Sequence, residues 1–101
     1  MSRKKIIFSK FPGKHLQAFI DPVSNCDGFD KLIQYMKNEF SVKVIDSFDG
    51  PAARRWILES EGIRFELIYD DGCGNYLLAP TIESETIVKK IGSDLETRFA
   101  S

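Results

Sequence analysis

Hydrophobic positions change period several times along the chain, and each change marks an element. Ile6 and Phe8 alternate with Ile7 and Ser9. Leu16, Ala18 and Ile20 alternate with Gln17 and Phe19. Two-residue alternation puts one set of side chains on each face of a strand, so Lys5–Ser9 and Leu16–Ile20 are predicted strands. Pro12-Gly13 between them suits a tight turn, because proline presets φ and glycine accepts positive φ. The period then lengthens. Phe29, Leu32, Ile33, Met36 and Phe40 fall at i, i+3, i+4, i+7 and i+11, one face of a helix from Asp27 to Phe40. Asp27 is the expected N-cap, with Asp30 in the favourable first turn. A β-branched run, Val42 to Phe48, follows as a strand, and Asp49-Gly50-Pro51 ends it.

Ala52 to Ser60 can be read in two ways. Asp49 as a cap, Pro51 near a first turn and the Ala-Ala-Arg-Arg run favour a helix. Pairing favours a strand. With a two-residue turn at Glu61-Gly62, Ser60 opposes Ile63, Glu59 opposes Arg64, Leu58 opposes Phe65 and Trp56 opposes Leu67. Trp56, Leu58, Ile63, Phe65 and Leu67 then share one face, and Arg55, Glu59, Arg64 and Glu66 the other. One register that satisfies both faces outweighs local propensity, so a strand is expected. Ile63–Tyr69 is the next strand, and Tyr76–Ala79 returns after a Gly-rich turn. Ser84 is expected to cap a last helix to about Phe99, striped by Ile87, Val88, Ile91, Leu95 and Phe99. Gly92 weakens that helix by about 1 kcal/mol, which suggests a close approach to the sheet.

The order is β-β-α-β-β-β-β-α. Two one-sided helices and a sheet with one apolar face predict an α+β two-layer sandwich. Its sheet is mostly antiparallel, with both helices on one face. The 101 residues suit a single domain.

Composition narrows the function classes. Hydrophobic residues are 43% and charged residues 29%, a globular balance. No apolar run approaches the roughly 18 residues of a spanning helix. The basic start Arg3-Lys4-Lys5 leads into only three apolar residues, too few for an export signal. A cytoplasmic location is therefore expected, with Cys26 and Cys73 as reduced thiols. Lys and Arg total 14 against 15 Asp and Glu, interspersed, for a net charge of −1. Nucleic acid is disfavoured as a partner on that balance.

Candidate chemistry is sparse. Asp70, Asp71, Cys73 and Asn75 form the densest polar cluster, at a hairpin tip. They match neither a calcium loop nor a zinc pattern. Gly72, Gly74 and Asn75 are expected to supply positive φ there. Cys73 as a nucleophile would need His15, the only histidine, and its acidic neighbours disfavour the thiolate. Arg54 and Arg55 beside Trp56 could form an exposed patch. The favoured reading is a solvated pair of arginines flanking a core tryptophan. Asp46 and Asp49 could join the tip acids only if the fold made a cleft of them. No metal or cofactor is implied.

The run from Asp49 to Ala79 carries Asp49-Gly50-Pro51, then Trp56, Gly62, Leu67-x-x-Asp70-Asp71-x-x-Gly74-Asn75 and Leu77. It resembles small single-domain bacterial proteins of unassigned function. That resemblance implies a bacterial source and carries over no catalytic residue. Size and architecture also resemble immunity proteins that neutralise secreted toxins, an analogy of fold that does not establish function. The expected function is a non-enzymatic protein-binding module, with a sheet face or edge as its contact surface. The alternatives are an immunity-type protein, a small metal-dependent or acid–base enzyme using the Asp70–Asn75 loop, and an edge-strand homodimer. For the homodimer, Phe11 and Phe19 are the suspected patch.

Overall fold

The structure is a computed structural model. It describes residues 6–10, 12–21, 23 and 25–100, without the side chains of Cys26 and Ala100. Its elements run β1 (Ile6–Ser9), β2 (Gln17–Ile20), α1 (Cys26–Phe40), β3 (Lys43–Asp49), β4 (Ala53–Ser60), β5 (Ile63–Asp70), β6 (Gly74–Leu78) and α2 (Ser84–Ala100). This is the expected order. The six strands form one antiparallel sheet in the order β1-β2-β6-β5-β4-β3.

The meander β3-β4-β5-β6 is the backbone of the sheet. Ala53–Ser60 is a strand, and its register is the expected one: Ser60 opposes Ile63, Leu58 opposes Phe65 and Trp56 opposes Leu67. Glu61 and Gly62 both take positive φ, 55° and 79°. That is the two-residue turn whose twist matches the flanking strands. Glu59 and Arg64 face each other across it, 3.7 Å apart. The β1-β2 hairpin joins this meander through β2 and β6, where Ala18 opposes Leu77.

Three local expectations are corrected. The cap of α1 is Asn25, not Asp27: the Asn25 Oδ1 accepts the Gly28 N–H at 2.7 Å, two residues earlier than the apolar stripe suggested. The cap of α2 is a reciprocal pair. The Thr81 hydroxyl accepts the Ser84 N–H at 3.1 Å, and the Ser84 hydroxyl accepts the Thr81 N–H at 2.9 Å. That is a capping box with serine in place of the usual Glu or Gln, so the capping position falls on Thr81. At the β5-β6 tip only Gly74 has positive φ, 77°. Gly72, in the turn itself, and Asn75, a strand residue opposite Tyr69, do not.

Both helices lie on one face. Phe29 of α1 meets Trp56 edge-on, with ring centres 5.4 Å apart. Trp56 is thus turned towards the helices and half-buried. Gly92 of α2 sits directly over β1 and β2: a Cβ there would lie 2.8 Å from the Phe8 ring and 3.4 Å from the Ala18 Cβ. The glycine is needed for that close approach. Between the layers lies one core, which includes Ile20, Phe29, Met36, Leu58, Phe65, Leu67, Leu77, Val88 and Ile91. The Cα radius of gyration, 12.6 Å, fits one compact unit of this length. Among the described residues no helix is long and apolar enough to cross a membrane.

Candidate interaction surface

Strand alternation sends every second side chain to the face that carries no helix. The registers line these side chains up in rows across the strands. One row crosses all six: Phe48 opposes Arg55, Arg55 opposes Ile68, Ile68 opposes Tyr76, Tyr76 opposes Phe19, and Phe19 opposes Ile7. Five of its six members are aromatic or aliphatic. Phe48 and Ile7 at the two ends are 57% and 44% exposed. Phe19 and Tyr76 pack ring on ring at 5.0 Å, with planes tilted by 31°. The next row is mixed: Asp46, Ile57, Glu66, Leu78, Gln17 and Ser9. The third is charged and short: Lys43, Glu59 and Arg64.

The one charge in the apolar row is neutralised within the face. Arg55 donates from Nε to Glu66 Oε1 at 2.7 Å and from Nη2 to Oε2 at 3.2 Å. This two-point geometry is the strong form of an arginine–carboxylate pair. The Glu66 side chain is only 8% exposed, whereas the Arg55 side chain is 57% exposed. Hydrogen bonding to Glu66 holds the Arg55 guanidinium above its usual pKa. Tyr76 is also shifted upward, first by burial and then by the negative potential of Cys73, Asp70 and Glu66. Its phenol therefore stays neutral and keeps the row uncharged but for Arg55.

The residues singled out from sequence are dispersed. Phe19 and Arg55 lie in this row, whereas Phe11 lies outside the described residues. Arg54 lies on the opposite face. Its guanidinium covers the Phe29 ring at 4.3 Å and binds Asp49 and Asp30. Asp49 also accepts the Trp56 indole N–H at 2.9 Å. These donors, Arg54 first, hold the Asp49 pKa below the ordinary carboxylate value.

Asp70, Asp71 and Cys73 are exposed at the β5-β6 tip. Asp70 accepts the Gly72 N–H, and Asp71 accepts the Tyr69 hydroxyl. Asn75 turns the other way. It is 1% exposed and donates to the Val23 and Asn25 carbonyls, at 2.8 and 2.9 Å. None of the four lines the cavities of about 470, 300 and 230 Å³ found elsewhere. Cys73 is a free, exposed thiol. Among the described residues no three His, Cys, Asp or Glu side chains are placed to share a metal ion.

Sequence reasoning missed two groupings. Ile7, Phe48, Ile68 and Tyr76 were each visible as outward positions of strands, yet their alignment with Phe19 depends on the β2-β6 pairing. The second is an ion cluster at the start of α2. Glu85 accepts Lys10 Nζ at 3.1 Å and the Leu16 N–H at 3.3 Å, and lies 3.1 Å from His15 Nδ1. Burial raises the Glu85 pKa, but these donors outweigh it and leave the carboxyl below its usual value. The cluster edges the 470 Å³ cavity lined by Phe8, Leu16, Ile82 and Lys89. About 70 residues separate its members, so no local spacing announced it. No family model matches the chain, and neither a curated protein nor a solved structure matches it.

Proposed function

We propose that this domain is a non-enzymatic protein-binding module whose contact surface is the helix-free face of the sheet. The carrying observation is the row Phe48-Arg55-Ile68-Tyr76-Phe19-Ile7, which crosses all six strands with no layer over it among the described residues. Contiguous apolar surface gains roughly 25 cal/mol for each Å² removed from water. Aromatic residues and arginine are the types enriched at the centres of protein interfaces. The Arg55–Glu66 pair makes the one charge in the row locally neutral, so covering it does not bury an unpaired ion.

Aromatic side chains on a sheet can also stack nucleic-acid bases, but that mode needs a cationic groove for the backbone. Here Lys43, Arg55 and Arg64 share the face with Asp46, Glu59, Glu66 and Asp70. That balance supports a protein partner.

The test is site-specific photo-crosslinking in the cells that express the protein. A photoreactive side chain replaces Phe48 in one variant. In a control it replaces Ile82, which is 73% exposed and lies beside α2. Discrete protein adducts are expected from the Phe48 position, and they should disappear when Phe19→Ser is added. Adducts that form equally from both positions, or that survive Phe19→Ser, or no adduct from Phe48, would overturn the proposal.

A further inference from the structure

We infer that the partner is a second copy of this chain, stacked face to face about a two-fold axis that runs parallel to the strands between β5 and β6. The inference rests on the open-face reading and deepens it. Such an axis reverses the apolar row over itself. Phe48 at one end then covers the partner's Ile7, and Ile68 covers the partner's Tyr76. Arg55 meets the partner's Phe19, so a guanidinium sits over an aromatic ring, a pairing that strengthens as water is excluded. Every apolar member of the row finds an apolar member or an arginine stem, and no like charges oppose each other. In the mixed row, Asp46 falls opposite the partner's Ser9, an acceptor facing a donor, and Glu66 opposite the partner's Leu78. The charged row Lys43-Glu59-Arg64 occupies only β3 to β5. It therefore lies beyond the partner's short β1 and β2, in water. An axis along the row instead would set Arg55 against Arg55, which the chemistry rejects.

The footprint is of the right order. Only strand residues with a partner strand opposite them count: four on β1, four on β2 and five on β6, with as many facing them on β3 to β5. At about 3.3 Å per residue and about 4.8 Å between strands, they present a plane of roughly 410 Å². Side-chain relief raises the accessible area towards the ~600 Å² per partner found at the low end of specific interfaces, the size of a weak complex. Stacked sheets cross at about 30°. Over the ~12 Å from the axis to each row end, this displaces the ends by roughly 6 Å, within reach of Arg55 and Phe48. A reversible dimer follows, more populated as concentration rises.

The experiment combines mass and geometry. Sedimentation of the full chain from low-micromolar to about half-millimolar concentration should show the mass climbing from 11.5 kDa towards twice that. Phe48→Glu should weaken the association at least tenfold. For geometry, Cys26→Ser and Cys73→Ser remove the native thiols. Chains carrying Phe48→Cys are then mixed with chains carrying Ile7→Cys and treated with a short bis-maleimide. The mixture should give linked dimers. Phe48→Cys alone should not, because two copies of that position sit about 24 Å apart, five strand spacings.

Efficient linking of Phe48→Cys alone would mean that β3 edges meet, and it would overturn the stacked arrangement. A monomer at every concentration would also overturn it. If Phe48 then still gives row-dependent adducts with a different protein in cells, the open-face reading stands without the dimer. Absence of such adducts removes both.

Discussion

Replacing Arg55 by Met leaves Glu66, a buried carboxylate on the open face, without its partner. The Glu66 side chain is 8% exposed and loses two hydrogen bonds, of 2.7 and 3.2 Å. Breaking a fully buried pair costs about 3–5 kcal/mol, and an exposed pair contributes about 0.2–1 kcal/mol. The Arg55 side chain is 57% in water, so the expected cost lies between, about 1.5–2 kcal/mol. For a domain of this size that lowers Tm by roughly 6–16 °C. Glu66→Leu alone should stay within about 0.5 kcal/mol of wild type, because Arg55 can extend into solvent. The double variant Arg55→Met with Glu66→Leu should recover most of the loss, since no buried charge remains. Urea unfolding can be followed at low-micromolar concentration by the fluorescence of Trp56, the only tryptophan. The cycle should give a coupling of about 1.5 kcal/mol. The reasoning is refuted if Arg55→Met costs under about 0.3 kcal/mol, or if the double variant is as unstable as Arg55→Met.

Asn75→Ala strips the hydrogen bonds that tie the Val23 and Asn25 carbonyls to β6. A loss of about 2–3 kcal/mol is expected, with faster hydrogen exchange at Gly28, whose N–H depends on the Asn25 cap. Gly92→Ala gains about 1 kcal/mol of helix propensity. Its new Cβ would lie 2.8 Å from the Phe8 ring, however, and overpacking costs about 1–3 kcal/mol. A net loss of about 1 kcal/mol in urea unfolding is expected, relieved by adding Phe8→Leu. Acid should destabilise the fold through Asp49, Asp94 and Glu85, all held below their ordinary pKa values of 3.8, 3.8 and 4.5. The folded state binds fewer protons, so this stability is fully present above about pH 5 and drains away as pH falls through the lowered values. Urea midpoints from pH 7 to pH 3 should show the decline, and Glu85→Gln should make it shallower. At the alkaline end Tyr35 acts with the opposite sign. Burial and the Asp94 carboxylate raise its pKa above 10, so its contribution is complete below pH 10 and fades above. Tyr35→Phe should flatten that limb.

Much of the fold was legible because it is written in alternation. Ala53–Ser60 carries a proline and alanines ahead of it that suit a helix, yet a single register put Trp56, Leu58, Phe65 and Leu67 on one side, and that register is the observed one. Two-sided consistency is a global constraint that helix propensity does not share. Caps were less legible. Asn25, Asp27, Thr81 and Ser84 are all competent capping types, and the choice among them depends on where the chain enters the helix. Gly74 looked like part of a turn, but a glycine in a strand reads the same way until its partner is known. The surface was visible only in fragments. Phe19 and Arg55 drew attention separately, while Glu66 resembled any solvated charge. Their union needs β2 beside β6, a pairing of residues nearly sixty positions apart. Nothing local in either strand specifies it.

Why one face stays open follows from lengths. Helices of 15 and 17 residues are about 22 and 25 Å long and about 10 Å wide. Side by side they shade roughly 20 Å of a sheet that six strands make about 29 Å across. They are used up before even their own face is complete: on β3, Ser47 and Asp49 point to the helix side and remain exposed. Among the described residues, no element covers the other face. A bare sheet normally invites edge-to-edge growth, and β3 is built against it. Its ladder breaks at a bulge between Val44 and Asp46, and Lys43, Asp46 and Asp49 spread charge along it. The same chain places its outward aromatics in one row at right angles to that guarded edge. The proposed association is directed away from that edge and onto the face, where a row of finite length would be satisfied by one partner and growth would stop.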